Sequence, residues 1–332
     1  MKVFKQVEMI KIKNKTKIFN GFKKHKIIKS IIIKLIIISI IFFKIFYIYD
    51  RKSKNIEINF NYTNYQKSII NSKILNESGW ELSENQAFFL NGIIRKYSPK
   101  NCLEIGVSEG GSSILILNAI KDKKNSILVS LDLNTKWYKD PSKITGWRVK
   151  NFFPELTKKW RLFTGDQPHK FLVKLNIKFD FLFLDTSHIS PGELINIIEA
   201  MPFLNENAII VLHDIIYHPP IFNKKNEIIA KISTPNLHLM TFLYGEKIIL
   251  KKQSKLDNMG AIFLHKYQYN HYQDYFLSLM TIWDYMPSNE QLKDLRNFIQ
   301  NYYKNDDLLE IYDESVRFNK EYFIKYKKKY DL

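Results

Sequence analysis

A glycine-rich turn that follows an apolar strand is the feature that most constrains the fold of this chain. Residues 101–113 read NCLEIGVSEGGSS, with Glu104 near the carboxyl end of the strand. Gly106 and Gly110 let the backbone turn tightly because glycine has no Cβ, and a ligand can then approach the loop closely. The amides that open the following helix, from about Ser112, point toward such a ligand. Ligands bind at the carboxyl ends of strands in open α/β sheets, so this stretch predicts a binding loop at that edge.

Alternating strands and helices follow the loop. Residues 126–133 (SILVSLDL) form a predicted buried strand with Asp132 near its end, and residues 161–164 form a short strand before Gly165 and Asp166. An acidic side chain at the end of the second strand can accept hydrogen bonds from both hydroxyls of a ribose. A helix cap or a turn is the alternative role for Asp132, because Asn and Thr follow shortly after it. The alternation predicts an α/β fold with a doubly wound, mostly parallel sheet.

Two further strands end in carboxylate and histidine residues. The run at 179–184 (FDFLFL) is apolar almost throughout, as expected of a central parallel strand buried on both faces, and it precedes Asp185 and His188. The next apolar strand precedes His213 and Asp214. We expect these side chains at the same edge of the sheet as the glycine loop, where they can act as general bases or metal ligands. The alternative is structural: Asp185 and His188 orient loops, and His213 is a satisfied buried histidine.

Capping boxes predict where three helices begin. In each, a serine precedes a Glu or Gln by three residues, so that the two side chains cap the first turn reciprocally. The pairs are Ser83 with Gln86, Ser190 with Glu193, and Ser288 with Gln291.

The combined motifs resemble the class I S-adenosylmethionine-dependent methyltransferases, especially O-methyltransferases with a Glu-x-Gly-x-x-x-Gly-x-Ser loop and with Asp-x-x-His and His-Asp motifs. The resemblance covers about residues 80–214 and implies a seven-stranded Rossmann-like sheet, with methylation of a hydroxyl on a small molecule or glycan. The cofactor contacts that it implies are Glu104, Gly106, Gly110, Ser112, Asp132, Asp166 (near the adenine) and Asp185. The catalytic residues that it implies are Asp185, His188 and His213.

The same resemblance raises the question of a metal ion. Asp185 and Asp214 could hold a divalent cation such as Mg²⁺, which would lower the pKa of the acceptor hydroxyl. In metal-dependent relatives a third oxygen ligand follows the second Asp, and Ile215 stands at that position here. Two alternative functions stay open: a metal-dependent hydroxylase-like relative on the same fold, and a non-catalytic membrane-tethered binding protein that retains the cofactor pocket.

The charge of the chain is concentrated near its amino terminus. Residues 1–54 hold fourteen Lys and one Arg against two acidic residues, which accounts for +13 of the formal net charge of +18. The charge of the remaining residues is nearly balanced. This argues against a nucleic-acid substrate, since such a substrate needs a basic stripe on the folded domain. The lone Cys102 excludes an intramolecular disulfide and a cysteine metal cluster, and we expect it in the core.

The hydropathy pattern divides the chain into five predicted segments. They are a basic segment (1–26), a transmembrane or interfacial helix (27–49), a polar linker (50–78), the methyltransferase domain (79–268) and a helical extension (269–332). The positive-inside rule keeps the Lys-rich amino terminus in the cytoplasm, which would place the domain on the far side of the membrane. S-adenosylmethionine is made in the cytosol, however, and basic residues also follow the apolar run. We therefore expect a membrane-associated protein whose catalytic domain faces the cytosol.

Overall fold

The computed structural model describes residues 70, 72–78, 82–216, 220–222, 228–231, 235–250 and 257–330. The predicted basic segment (1–26), the predicted membrane helix (27–49) and most of the predicted linker lie outside these residues. Among the described residues, no helix is both long and apolar enough to cross a bilayer.

Helices and strands alternate along the described chain. The strands are β1 (Asn101–Ile105), β2 (Ile127–Asp132), β3 (Trp160–Thr164), β4 (Phe179–Leu184), β5 (Leu204–His213), β6 (Pro220–Phe222), β7 (Ile228–Lys231), β8 (Gly245–Ile249) and β9 (Met259–Leu264). The α-helices are α1 (Ser72–Ser78), α2 (Glu84–Tyr97), α3 (Gly111–Ile120), α4 (Trp147–Phe152), α5 (Pro168–Leu175), α6 (Gly192–Ala200), α7 (Pro235–Phe242), α8 (Tyr272–Leu277), α9 (Asn289–Tyr302) and α10 (Asp306–Tyr330). Short 3₁₀ turns span Pro154–Lys159, Met201–Phe203, Gln268–His271 and Ser278–Met280.

Seven strands form one mixed sheet in the order β3-β2-β1-β4-β5-β9-β8. The first five of these are mutually parallel, whereas β9 is antiparallel to β5 and β8 is antiparallel to β9. The predicted doubly wound, mostly parallel seven-stranded sheet is therefore confirmed. Because β1 and β4 are neighbours, the residues that follow them lie side by side at one edge.

Two apolar layers cover the sheet, one on each face. Alternate residues of a strand point to opposite faces, so Cys102 packs in the layer formed with α2 and α3, and Leu103 packs in the layer formed with α6. Cys102 is fully buried, as predicted, and burial raises the pKa of its thiol. This two-sided covering explains why β4 is apolar almost along its whole length.

Two of the predicted segments, the linker and the helical extension, contain helices that pack on the domain. The linker prediction extended to Ser78, but Ser72–Ser78 is a helix, and Ile74 is buried in the layer on α2 and α3. A few apolar side chains suffice to dock this short helix although its composition is polar. The helical extension shares its core with the domain, since Leu295 and Tyr312 are buried with the β4 and α6 side chains.

Candidate active site

The glycine loop joins β1 to α3 and touches the end of β4. Gly106 and Gly110 have φ of 92° and 101°, which L side chains rarely adopt. A Cβ on Gly106 would lie 1.7 Å from the carbonyl oxygen of Asp185. The backbone at the end of β1 therefore packs directly on the first residue after β4.

Glu104 lies beneath this loop, fully buried. Its carboxylate accepts hydrogen bonds from the hydroxyls of Ser112 (2.6 Å), Ser113 (2.6 Å) and Ser130 (2.5 Å). Burial raises the pKa of Glu104 to about 7, although the three serine hydroxyls oppose the rise. Glu104 is absent from the lining of the two cavities at this edge, whereas Ser112 lines the smaller one. Glu104 thus supports the loop from below, and the direct cofactor contact that the resemblance implied for it stays a prediction.

Asp132 lies at the end of β2 beside the loop. One carboxylate oxygen accepts the backbone N–H groups of Val107 (2.9 Å) and Ser108 (3.0 Å), and the other accepts the N–H of Asn134 (2.8 Å). Asp132 also lines the larger cavity. Asp132 therefore lies where a ribose-binding carboxylate was predicted. It also holds the turn that was predicted as its alternative role.

Asp166 lies between β3 and α5. Its carboxylate pairs with Lys170 at 3.1 Å, and Lys170 also pairs with Asp294 of α9 at 2.8 Å. Asp166 is outside the lining of the larger cavity, while its neighbour Gln167 belongs to it. The Asp166 carboxylate therefore faces a lysine four positions further along the chain, and its predicted contact with the adenine stays a prediction.

Two adjoining cavities open at the carboxyl ends of the strands. The larger has a volume of about 310 Å³ and contains Asp132 in its wall, whereas the smaller, of about 240 Å³, contains the two histidines. Six residues line both cavities: Gly106, Val107, Ser108, Tyr138, Asp185 and Thr186. The shared wall marks the junction at which a group bound in one cavity meets a group bound in the other.

The predicted carboxylate and histidine residues converge at this junction. Asp185 Oδ1 lies 3.1 Å from His213 Nδ1 and 3.3 Å from His188 Nε2. Asp214 Oδ2 lies 3.4 Å from His188 Nε2 and 3.8 Å from His213 Nδ1. Burial alone would raise the pKa of Asp185, but the charges and hydrogen bonds of His213 and His188 hold it well below its usual range. Asp185 is therefore an ionised carboxylate between two imidazoles.

A third carboxylate, Glu193, holds His188 from the other side. Glu193 Oε1 accepts the backbone N–H of His188 at 2.6 Å and lies 3.2 Å from its Nδ1. The capping box predicted for Ser190 and Glu193 is absent, because the glutamate is turned to His188 and Pro191 precedes the helix without a side-chain cap. Burial alone would lower the pKa of His188, but hydrogen bonds and charge from Asp185 and Glu193 raise it to about 11. His188 is thus an imidazolium at neutral pH.

His213 is buried, and both of its ring nitrogens have partners. Nδ1 contacts Asp185, and Nε2 lies 3.1 Å from the side-chain nitrogen of Gln86. Burial lowers the pKa of His213, but the charges of Asp185 and Asp214 outweigh this effect and raise it. His213 therefore has the features of the alternative prediction, a buried histidine whose two ring nitrogens both have partners. One of these partners is Asp185.

The turn after β5 presents Asp214 to the smaller cavity. Asp214 has a left-handed φ of 49°, and Asn258 holds the turn by donating to its carboxylate (3.1 Å) and by accepting the N–H of Ile216 (2.5 Å). Ile215 is buried in the core. Its side chain is a hydrocarbon and therefore has no atom that could bind a metal ion. Ligand atoms of Asp185, His188 and His213 lie within 4.8 Å of one another, a spacing that a metal ion could bridge.

Three supporting residues were not predicted from the sequence as parts of the site. Gln86 and Glu193 stood out only as capping residues, and Asn258 carried no signal at all. The predicted capping boxes at Ser83 and Ser288 both form, and Gln86 is the glutamine of the first. A capping glutamine can therefore serve a helix and a distant histidine at once, which local sequence patterns do not reveal.

Residues 103–215 match the family model described as a methyltransferase domain. This range contains the glycine loop, Asp132 and the histidine-carboxylate cluster, and the match confirms the methyltransferase that the motifs predicted. No curated protein matches the chain significantly.

Several solved structures are similar to this chain. An O-methyltransferase from Bacillus cereus in complex with SAH is 16% identical, with a TM-score of 0.43, over 58% of this chain and 91% of that one. The O-methyltransferase TomG from Streptomyces achromogenes, in complex with SAM, is 14% identical, with a TM-score of 0.43, over 63% and 95%. The SAH-bound Podospora anserina methyltransferase PaMTH1 is 20% identical, with a TM-score of 0.35, over 48% and 71%.

Proposed function

We propose that this chain transfers the methyl group of S-adenosylmethionine to a hydroxyl oxygen of a small molecule or glycan. One observation carries the proposal: the cavity that contains the glycine loop and Asp132 adjoins the cavity that contains His188 and Asp214, and Asp185 stands in both walls. The methyltransferase domain match over residues 103–215 supports the same reaction class.

The larger cavity fits the nucleoside part of this cofactor. Gly106 and Gly110 bring backbone without a Cβ to the loop, and the Asp132 carboxylate in the wall has lone pairs left for ribose hydroxyls. When bound, S-adenosylmethionine supplies a methyl group on a positively charged sulfur, which an oxygen nucleophile can displace in line.

The acceptor hydroxyl loses its proton as the new oxygen–carbon bond forms and the sulfur–carbon bond breaks. His188 is a poor proton acceptor because it is already an imidazolium, so we assign it the task of stabilising the negative charge that develops on the oxygen. Asp214 lines the cavity and its side chain is 21% exposed, which suits a base that receives the proton and passes it to water. Asp185 and Glu193 keep His188 charged and in place.

A metal-dependent reaction is the second candidate, favoured by the spacing of Asp185, His188 and His213. Two imidazoles and one carboxylate suit Zn²⁺ or Fe²⁺ better than the predicted Mg²⁺. Methyl transfer that survives a chelator would support the metal-free reaction. Loss of activity that Mg²⁺ restores would instead favour the predicted Asp185 and Asp214 site. Binding of Fe²⁺ without methyl transfer would favour the hydroxylase-like relative.

We also propose that residues 27–49 tether the domain to a membrane, with the domain in the cytosol. The support is the apolar run itself and the cytosolic origin of S-adenosylmethionine. Protease protection of the full-length protein in sealed membrane vesicles tests this arrangement. Digestion of the domain from the cytosolic face is the expected result, and protection there would place the domain in the lumen.

Calorimetric titration of the full-length protein with S-adenosylmethionine and S-adenosylhomocysteine tests the cofactor. We expect both to bind, NAD not to bind, and Asp132→Asn to weaken binding by about tenfold or more, as for the loss of a charged hydrogen-bond acceptor. A folded protein that binds neither methionine derivative would overturn the proposal. The acceptor can then be sought by transfer of a labelled methyl group to hydroxyl-bearing small molecules and glycans.

A further inference from the structure

A hairpin forms most of the loop between β2 and α4. Lys136 and Ile144 form an antiparallel bridge, and the N–H of Trp137 donates to the carbonyl of Lys143 at 2.9 Å. These contacts hold residues 133–145, which we call the β2–α4 hairpin, in a defined conformation.

The hairpin buries one aromatic side chain and exposes the next. Trp137 is buried with its ring centroid 6.0 Å from that of Trp147, and Nζ of Lys143 lies 5.3 Å from the first centroid and 4.2 Å from the second. Tyr138 is 63% exposed, and Ile144 is 47% exposed. Because Trp137 already anchors the hairpin on α4, packing within the domain does not account for the outward Tyr138 and Ile144.

Exposed apolar side chains and exposed lysines share the surface of the hairpin. The apolar side chains are Leu133, Tyr138 and Ile144, and the lysines are Lys136 and Lys139. Lysine is depleted at the core of protein–protein interfaces. Tyrosine and aliphatic side chains beside lysine are instead typical of a surface that meets lipid, where the apolar groups enter the head-group region and the ammonium groups bind anionic lipid.

The net charge of the hairpin is positive. Residues 133–145 contain three lysines and one acid, Asp140. The Asp140 carboxylate accepts the hydroxyl of Ser142 at 2.6 Å and lies 3.4 Å from Nζ of Lys143. The acid is therefore paired within the hairpin, and an anionic surface complements the charge of the hairpin as a whole.

The same surface borders the proposed site. Leu133 and Lys136 line the larger cavity, Lys139 lines the smaller one, and Tyr138 lines both. Whatever docks on the hairpin therefore lies beside the two cavities.

The described chain also enters the domain next to the hairpin. Helix α1 contacts α4, which begins just after the hairpin: Arg148 Nη1 lies 3.1 Å from Glu77 Oε2, and Nζ of Lys73 donates to the carbonyl of Phe152 at 3.3 Å. Residues 27–49, proposed above as a membrane tether, precede α1 in the sequence. The proposed tether is thus joined to the domain through a helix that contacts α4.

We infer that the β2–α4 hairpin is a docking surface for an anionic lipid membrane. Leu133, Tyr138 and Ile144 enter the head-group region, and Lys136 and Lys139 bind lipid phosphates. This inference rests on the proposed tether for a nearby membrane, and it does not depend on the proposed reaction. Docking at this place brings the two cavities next to the lipid head groups.

The lone cysteine of the chain allows this surface to be probed. Cys102 is fully buried, so an environment-sensitive thiol dye labels a cysteine introduced at an exposed position. Ile144→Cys places the dye on the hairpin. Glu206→Cys, at an exposed position near the amino-terminal end of β5, places it at the opposite edge of the sheet. Each full-length variant is reconstituted from detergent with vesicles of phosphatidylcholine, alone or mixed with phosphatidylglycerol, with and without bromine on the acyl chains.

In the mixed vesicles, the emission of the dye at position 144 should shift to the blue and be quenched by the brominated lipid. This is expected because the hairpin lies among the head groups. The dye at position 206 should show neither effect.

Two charge reversals test the role of the lysines. Lys136→Glu with Lys139→Glu, introduced into Ile144→Cys, should lower the ratio of quenched to unquenched dye by about tenfold or more, since each lysine near an anionic surface contributes several-fold. Lys121→Glu with Lys124→Glu changes the net charge equally at the exposed turn before β2 and should leave the ratio unchanged. A ratio that is the same in all of these proteins would overturn the docking on anionic lipid.

Flotation separates the failure of this inference from that of the tether. A full-length protein that floats with neither kind of vesicle overturns both. A protein that floats, with the dye at position 144 behaving as the dye at position 206 does, overturns this inference alone. Shielding of the dye at position 144 in detergent, without quenching by brominated lipid, would show that a second copy of the chain covers the hairpin and would also overturn it. Circular dichroism shows that each variant is folded, and Leu133→Cys takes the place of Ile144→Cys if the latter does not fold.

Discussion

The side-chain nitrogen of Gln86 lies 3.1 Å from Nε2 of His213, although 127 positions separate the two residues in the chain. The side-chain oxygen of Gln86 accepts the N–H of Ser83 at 2.7 Å, which fixes the orientation of the amide. When the ring is neutral, the amide nitrogen therefore donates to Nε2, and the ring carries its proton on Nδ1, toward Asp185. A helix cap thus selects the tautomer of a histidine in the site.

Gln86→Glu should convert His213 into a stable imidazolium. Glutamate keeps the capping box but replaces the donor facing Nε2 by an acceptor, so we expect the pKa of His213 to rise by about one unit or more. NMR titration of the histidine ring protons measures the shift. Gln300→Glu adds the same charge at an exposed position of α9 and should leave the titration unchanged. An unaltered His213 titration in Gln86→Glu would show that the amide does not set the tautomer.

His188→Gln should lower the turnover number far more than the affinity for S-adenosylhomocysteine. The variant leaves Asp185, Asp214 and Glu193 without the cation between them, so we expect about a hundredfold loss in kcat and roughly 3 kcal/mol lower stability. Steady-state kinetics, calorimetry and urea unfolding separate the three effects. His265→Gln removes an exposed histidine and is the control. Wild-type turnover in His188→Gln would refute the electrostatic role.

Glu104 should make the protein less stable as the pH rises toward neutrality. Between pH 4.5 and about 7 the folded protein holds a proton on Glu104 that the unfolded chain has lost. The contribution of Glu104 to the unfolding free energy therefore falls with rising pH, by at most about 1.4 kcal/mol per unit. Urea unfolding at about pH 5 and pH 7 should show a steeper decline for the wild type than for Glu104→Gln. Glu290→Gln, at an exposed glutamate, should decline as the wild type does, and equal slopes for all three proteins would contradict the assignment.

Gly106→Ala should prevent the native loop from forming. The added Cβ would meet the Asp185 carbonyl oxygen at 1.7 Å, and the backbone has a φ of 92°. We expect a loss of more than about 4 kcal/mol, because neither backbone segment can move without breaking the sheet edge. Gly165→Ala is the comparison: its φ is 93°, but the nearest atom is a Thr135 methyl carbon at 3.0 Å. It should cost only about 1–2 kcal/mol, so similar costs for the two variants in urea unfolding would argue against the close contact.

The residues at the carboxyl edge of the sheet were predictable from the sequence, because each strand is recognisable by its own apolar run. Parallel strands end at the same edge, so residues that directly follow β4 and β5 had to meet. Asp185, His188, His213 and Asp214 were predicted on this ground, and they converge in the structure. No long-range contact had to be known in advance.

The supporting residues were not predictable in the same way. Gln86, Glu193 and Asn258 reach the site through contacts that depend on how α2, α6 and the turn before β9 pack. The ion pair of Asp166 was not predicted either. Lys170 follows Asp166 by four positions, and this spacing favours such a pair.

The backbone N–H groups of residues 284 and 285 donate to the carbonyl of Ser190, and Tyr285 forms part of the wall of the larger cavity, so the site needs a segment that is made late in synthesis. All strands of the main sheet precede residue 265, so the ribosome delivers the whole sheet, with the glycine loop and both histidines, before the cavity wall appears. That wall is in turn anchored by Asn319, near the far end of the described chain. A nascent chain therefore contains every strand of the main sheet before it contains the residues that line this side of the cavity and the helix that anchors them.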